Sequence, residues 1–265
     1  MKNGGWIGEN KGAIAFAAVI MLIGTAGYFA LGIKEGMGAG TGKVNPAVFA
    51  GIQYKVGFTP DGTIKVLAYA KNNALASLIA KEGGPIPEDD SMTIGSAEAE
   101  MMLKENLFKK PGDNLTDFFG IPKVYIGGVL AKTGTPVDDL HFLSLHNFEK
   151  ANGEEGRVFS KLTPDNVPKM FYYLGLNEPV PAKFVLAEGS MTGYEVHDLG
   201  GAEYYPLILG SNEAKMMREE NLFRDIGDVK RGFFGRNIVI VGVLKQTNSS
   251  LDMMHFVPLK ENQIG

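Results

Sequence analysis

From residue 13 to residue 33 the chain reads AIAFAAVIMLIGTAGYFALGI, apolar and without a charge. About twenty such residues at 1.5 Å rise each cross the hydrocarbon core of a bilayer, so the run predicts a single transmembrane helix. A tail, 1–12, with Lys2 and Lys11 precedes it, and a Gly-rich linker, 34–42, follows it. Gly24 and Gly27 leave one side of that helix small, a surface on which another helix packs closely. Past residue 43 the period changes. Phe49, Ile52, Tyr54 and Val56 alternate up to the turn residues Thr59-Pro60-Asp61-Gly62, and a helix-like stretch leads toward Ile79 until Gly83-Gly84-Pro85 break it. Ser96 stands where it caps a helix from Ala97, with Glu98 and Glu100 in the first turn, and Pro111-Gly112 stops it. Residues 123–130 and 140–145 read as strands around a turn at Thr133-Gly134-Thr135-Pro136. After the polar stretch 146–156, Thr163-Pro164-Asp165 reads as the start of a helix that runs through Phe171, Tyr172, Tyr173 and Leu174 to Gly175. Residues 182–186, 205–209, 238–244 and 254–259 read as strands, and Ser211 opens a second capped helix.

Much of this pattern occurs twice. GSAEAEMMLKENLF from Gly95 is answered by GSNEAKMMREENLF from Gly210, and FTPDGTIKVLAYA from Phe58 by LTPDNVPKMFYYL from Leu162. DFFGIPKVYIGGVLAKTGTPVDDLHFLSL from Asp117 is answered by GFFGRNIVIVGVLKQTNSSLDMMHFVPL from Gly232, with one residue lost in the second copy. Between its TPD and GS elements the second copy carries about eleven extra residues, a difference that loop-closure entropy tolerates. A repeat of this length means two structural units, 43–150 and 151–265.

Composition narrows the function classes. The 265 residues are 45% hydrophobic and 21% charged, which is globular. Net charge is −4, and no Lys/Arg cluster interleaves with aromatics, which excludes a nucleic-acid partner. With no cysteine, disulfides, thiolate metal sites and iron–sulfur clusters are excluded.

The second copy resembles the extracytoplasmic core domain of MacB/FtsX-type ABC exporter permeases. The matching positions are Gly210, Ser211 and Ala214, the turn at Gly227-Asp228, the strand 241–244, the turn residues Thr247, Ser249 and Asp252, and the closing strand 257–259. The first copy matches at Gly95, Ser96, Ala99, Gly112, Asp113, Val129, Leu130, Thr133, Thr135 and Asp138, with Leu143-Ser144-Leu145 in place of Val-Pro-Leu. The resemblance implies a small β-rich α+β unit outside the membrane. It does not carry transport activity over, because the chain has neither the permeases' further apolar spans nor a G-x-x-x-x-G-K-S/T phosphate loop.

Candidate chemistry is sparse. Each copy places an Asp three residues before a His, Asp138 with His141 and Asp252 with His255, among only 4 histidines. A metal or cofactor site is one reading. A turn aspartate holding backbone N–H groups, followed by a strand histidine, is the other and the simpler, since strand positions three apart face opposite sides. The Met101-Met102 and Met216-Met217 pairs read as one core side chain each. Glu98, Glu105, Glu213 and Glu220 read as solvent faces of capped helices, and Ser96 and Ser211 as caps rather than nucleophiles. Phe118-Phe119-Gly120 and Phe233-Phe234-Gly235 are the best contact candidates, either packed inward or presented to a partner.

Together these features predict an α+β, β-rich fold in which a single N-terminal transmembrane helix precedes two homologous tandem units. They predict no enzyme and no cofactor. The function expected is that of a membrane-anchored accessory or scaffold subunit whose duplicated domain lies on the extracytoplasmic side, with an integral membrane protein and membrane lipid as partners. Two alternatives stand beside it. One is a pilin-like surface filament subunit cleaved after Gly12, and the other is an extracytoplasmic metal- or cofactor-binding protein.

Overall fold

The computed structural model describes residues 44–59, 64–181 and 184–265. Their strands pair into two eight-stranded sheets. The first holds β1 (Ile52–Phe58), β2 (Ile64–Ala70), β3 (Ala80–Gly83), β4 (Ser91–Ile94), β5 (Asn114–Phe118), β6 (Ile121–Leu130), β7 (His141–Leu143) and β8 (Glu154–Glu155). The second holds β9 (Val158–Leu162), β10 (Pro168–Tyr173), β11 (Leu186–Gly189), β12 (His197–Asp198), β13 (Glu203–Leu209), β14 (Val229–Phe233), β15 (Arg236–Leu244) and β16 (Met254–Val257). The strand order β3-β6-β4-β7-β2-β1 recurs position by position as β11-β15-β13-β16-β10-β9. Directions recur too: β2 runs parallel to β7 and β4 to β6, as β10 does to β16 and β13 to β15. The insertion in the second copy forms β12, which pairs with β13. The lost residue is absorbed as a register shift between β14 and β15, where β5 and β6 keep one register.

Strict alternation assigns each sheet two buried faces. Val66 and Ala68 on β2, Phe142 on β7, Met170 and Tyr172 on β10, and Met254 and Phe256 on β16 enter one core shared by both sheets. Leu67, Ile94, Ile126 and Leu143 turn the other way, into a core with Ala99 and Met102 of α2 (Ser96–Lys104). Phe171, Leu209, Ile240 and Val257 do the same with Ala214 and Met217 of α4 (Ser211–Glu219). The layers are therefore helix, sheet, sheet and helix. Two shorter helices, α1 (Ala47–Ala50) and α3 (Leu145–Lys150), finish the first unit.

Several expectations need correction. Among the described residues the fold is not the expected α+β arrangement. Two large sheets carry the architecture, α2 and α4 have nine residues each, and no helix of the described residues is long and apolar enough to cross a membrane. The expected membrane anchor therefore finds no support among the described residues. The run 13–33, with Gly24 and Gly27, lies outside the described residues. The helix expected from Thr163 is instead a hairpin. Asn166 N–H donates to Thr163 O at 2.8 Å and Thr163 N–H to Val167 O at 2.9 Å, and β10 follows. Its aromatics obey a period of two, which proline and threonine at the head of the stretch concealed. The helix-like stretch toward Ile79 is β2 followed by a 3-10 turn, Lys71–Ser77.

Phe256 fills the shared core, with the Phe184 ring edge-on at 4.9 Å and Tyr172 at 5.4 Å. Phe256→Ala should cost roughly 3–5 kcal/mol in urea unfolding. Because that core belongs to both sheets, amide exchange should accelerate in β2 and β10 together.

Candidate functional site

The first turn of α2 sets the site. Its N-cap is Gly95, not Ser96, and the cap position has no side-chain hydrogen bond. A Cβ at Gly95 would lie 2.2 Å from Val137 O, and one at Gly210 would lie 2.2 Å from Leu251 O. Each helix start is thus pressed against the turn that holds the repeated aspartate of its own copy. Asp138 fixes that turn by accepting from Thr133 N–H at 2.9 Å, Gly134 N–H at 2.7 Å and Thr133 Oγ1 at 2.8 Å. Asp252 does the same for Thr247 and Asn248. Both aspartates act as turn anchors, and neither pairs with the histidine three residues on.

The histidines meet glutamates instead. Glu98 Oε1 accepts from Lys65 Nζ of β2 at 2.7 Å and lies 3.1 Å from His141 Nε2 of β7. In the second copy, Glu213 Oε1 lies 2.6 Å from Lys169 Nζ and 3.3 Å from His255 Nε2. Both glutamates and both histidines are buried, with no more than 3% exposure. The solvent-face reading of Glu98 and Glu213 is therefore wrong: each sits in a first helical turn facing its sheet, where the helix N-terminus favours its charge. The missed residues, Lys65 and Lys169, had a sequence signal. Both fall six residues after the threonine of the repeated TPD element.

The electrostatics follow from burial and pairing. Burial alone would raise the Glu98 carboxyl, but His141 and then Lys65 outweigh it and hold it below its ordinary value. Burial pushes the His255 imidazole down; Glu213 pulls it up, and Lys169 acts with burial. Each ring nitrogen faces an acceptor, Nε2 with Glu213 Oε1 at 3.3 Å and Nδ1 with Met170 O at 3.3 Å, and both contacts oppose the effect of burial. The Nδ1 of His141, by contrast, is buried without a partner.

Phenylalanine pairs cap both triads. Phe118 lies 5.3 Å from His141, and Phe233 lies 5.3 Å from His255. Their hairpins turn through Phe119-Gly120 and Phe234-Gly235, all four at positive φ, the geometry of a two-residue type I′ turn. The two copies then diverge. Phe234 packs edge-on against Phe171 at 5.1 Å, and Phe171 stacks on His255 at 5.1 Å. The first copy has Leu67 where Phe171 stands, and its Phe119 swings over Gly57, where a Cβ would meet the ring at 2.5 Å. Above the first triad a cleft of about 960 Å³ opens. Lys65, Glu98 and His141 line it together with Met101 of α2, Glu105 just past its end, β5, both phenylalanines, and Thr247 and Asn248 from the second unit. The structure brings Phe118, Phe119 and His141 to one place and Phe233, Phe234 and His255 to another, whereas Asp138 and Asp252 stay in their turns.

A second cleft of about 530 Å³ lies between α2 and the turn 246–252 and includes Asp139. Burial first, then Asp138, Glu98 and Asp252, push the Asp139 carboxyl up to about 7. Met253 stands at the equivalent position of the second copy. Among the described residues no group of three or more His, Asp or Glu side chains is placed to hold a metal ion. The chain matches no known family model, curated protein or solved structure, so the likeness to exporter-permease domains rests on its motifs alone.

Removing one member of a buried pair strands the other charge. Glu213→Gln should therefore cost roughly 3–5 kcal/mol, and Lys169→Met in the same chain should recover part of it by chemical unfolding.

Asp139 has the opposite pH signature to Glu98 and His255. Its folded pKa is raised from 3.8 to about 7, so its contribution is favourable below 3.8 and is lost as pH rises through 7. At about 1.36 kcal/mol per pH unit the upper bound is about 4 kcal/mol, and partial exposure reduces the expectation to ~1–2 kcal/mol. Asp139→Asn should raise stability by that amount at pH 8 and by almost nothing at pH 4, measured by urea melts at both values. Glu98 and His255, both lowered, lose stability as pH falls.

Proposed function

We propose that the chain is a non-catalytic interaction module, an accessory or scaffold subunit that holds a partner protein in the cleft of its first unit. The observation that carries this reading is the divergence of the two copies around the same triad. The second copy fills the space over its histidine with Phe171 and Phe234, and the first leaves a cleft there. Lys65 and His141, at the cleft floor, both engage the Glu98 carboxylate, so neither is an uncommitted base beside a nucleophile. The paired charges serve to fix α2 against its sheet. Apolar side chains wait at the surface: Phe58 and Leu107 line the cleft and are 44% and 48% exposed. A mixed cleft of this size with apolar walls and a few polar groups suits binding.

The internal repeat supplies a control. Leu222, 41% exposed, occupies the position equivalent to Leu107. Leu107→Asp in the full chain should weaken retention of the co-purifying partner at least tenfold, and Leu222→Asp should leave it unchanged. Equal effects of the two substitutions, or none from either, would contradict the reading. Quantitative affinity purification followed by titration of the identified partner makes the measurement.

A further inference from the structure

We infer that the occupant of the first-unit cleft is an extended polypeptide segment that adds as a strand to β5 and carries a basic side chain. The inference rests on the interaction-module reading and names what that site takes. Every residue of β5, Asn114 to Phe118, lines the cleft in succession. Successive side chains of a strand leave on opposite faces, so a wall built from all of them is a strand edge. β6 occupies the other edge of β5, and no other strand of the described residues pairs with β5. Ile126 N–H donates to Asp113 O at 2.9 Å, which puts Asp113 and Leu115 on the beat that faces β6. Alternation in an antiparallel ladder then turns the N–H and C=O of Asn114 and Thr116 outward.

An open edge invites pairing, and proteins guard edges with charge or proline. The second unit does so. β14 carries Lys230 and Arg231 where β5 carries Leu115 and Thr116, and Arg231 Nε donates to Tyr204 OH at 2.9 Å. β5 contains no lysine, arginine or proline. The charge of the occupant follows from the cleft. Lys65 is committed to Glu98, whereas Glu105 and Asp117 are exposed and have no ion pair among the described residues. The available charge is negative, which selects a basic side chain. Strand addition draws affinity from main-chain hydrogen bonds and specificity from alternate side chains.

A displayed library of random twelve-residue peptides, panned on the full chain, supplies the probe. Enriched peptides should alternate apolar residues with Lys or Arg. Thr116→Ala should bind them within twofold of the wild type. Thr116→Pro, which removes an outward N–H and leaves the β5–β6 ladder intact, should lose at least tenfold, and so should Thr116→Arg, which copies the guard of β14. In amide exchange, the bound peptide should protect Asn114 and Thr116. Peptides indifferent to Thr116→Pro, or no protection of those amides, would overturn the strand. Enriched peptides without a basic residue would overturn the charge assignment. Failure to enrich any peptide, with partner binding still sensitive to Leu107→Asp, would overturn the inference and leave the interaction module standing. Insensitivity of partner binding to Leu107→Asp would remove that reading as well.

Discussion

A carboxylate buried in the first turn of a helix has to be paired, and that requirement fixes each unit of this protein. Glu98 and Glu213 each lie under a helix N-terminus, and each draws a lysine from one strand and a histidine from another onto a single oxygen. The strands concerned, β2 with β7 and β10 with β16, are neighbours in their sheets. The carboxylate thus ties helix to sheet at a crossing that apolar packing alone would leave free to slide. A buried ion pair adds little net stability but penalises every arrangement that breaks it. Gly95 and Gly210 complete the constraint, because only a residue without a Cβ lets the helix start meet the adjoining turn.

The two copies share a frame and differ above it. Both units keep the triad, the anchored turn and the two-residue hairpin, which are the parts that define the fold. They differ in what lies above the triad. Phe159 and Phe171 stack in the second unit with ring centroids 5.2 Å apart, and Phe234 closes on them. At the position of Phe159 the first unit has Lys55, which reaches Phe148 O at 2.7 Å instead of entering an aromatic cluster. The cleft beside Phe118 and Phe119 stays open, with the edge of β5 along it. The interaction-module reading depends on this asymmetry and not on any single residue.

The repeat made the architecture legible, because equal residues at equal spacing occupy equal places in the two sheets. Apolar alternation also located β1, and continuous β-rich runs located β6 and β15. The failures have physical causes. Glu98 looked like a solvent-facing helix residue because sequence marks the helix but not its rotation against a sheet. Lys65 and His141 are 76 residues apart in number and meet only through the parallel pairing of β2 with β7. The TPD element imitated a helix cap because threonine and proline serve a hairpin turn equally well. The strand edge of β5 was invisible, since no local pattern tells which edge of a strand a neighbour will leave uncovered.

In the proposed role the two copies have diverged, the first holding a partner and the second only supporting it. Site-specific photo-crosslinking tests this most directly, with one photoreactive residue at Asn114 on β5 or at its counterpart Val229 on β14, in the full chain inside cells. A discrete heteromeric adduct is expected from position 114 and none from position 229. Adducts of equal yield from both positions, or from 229 alone, would contradict it.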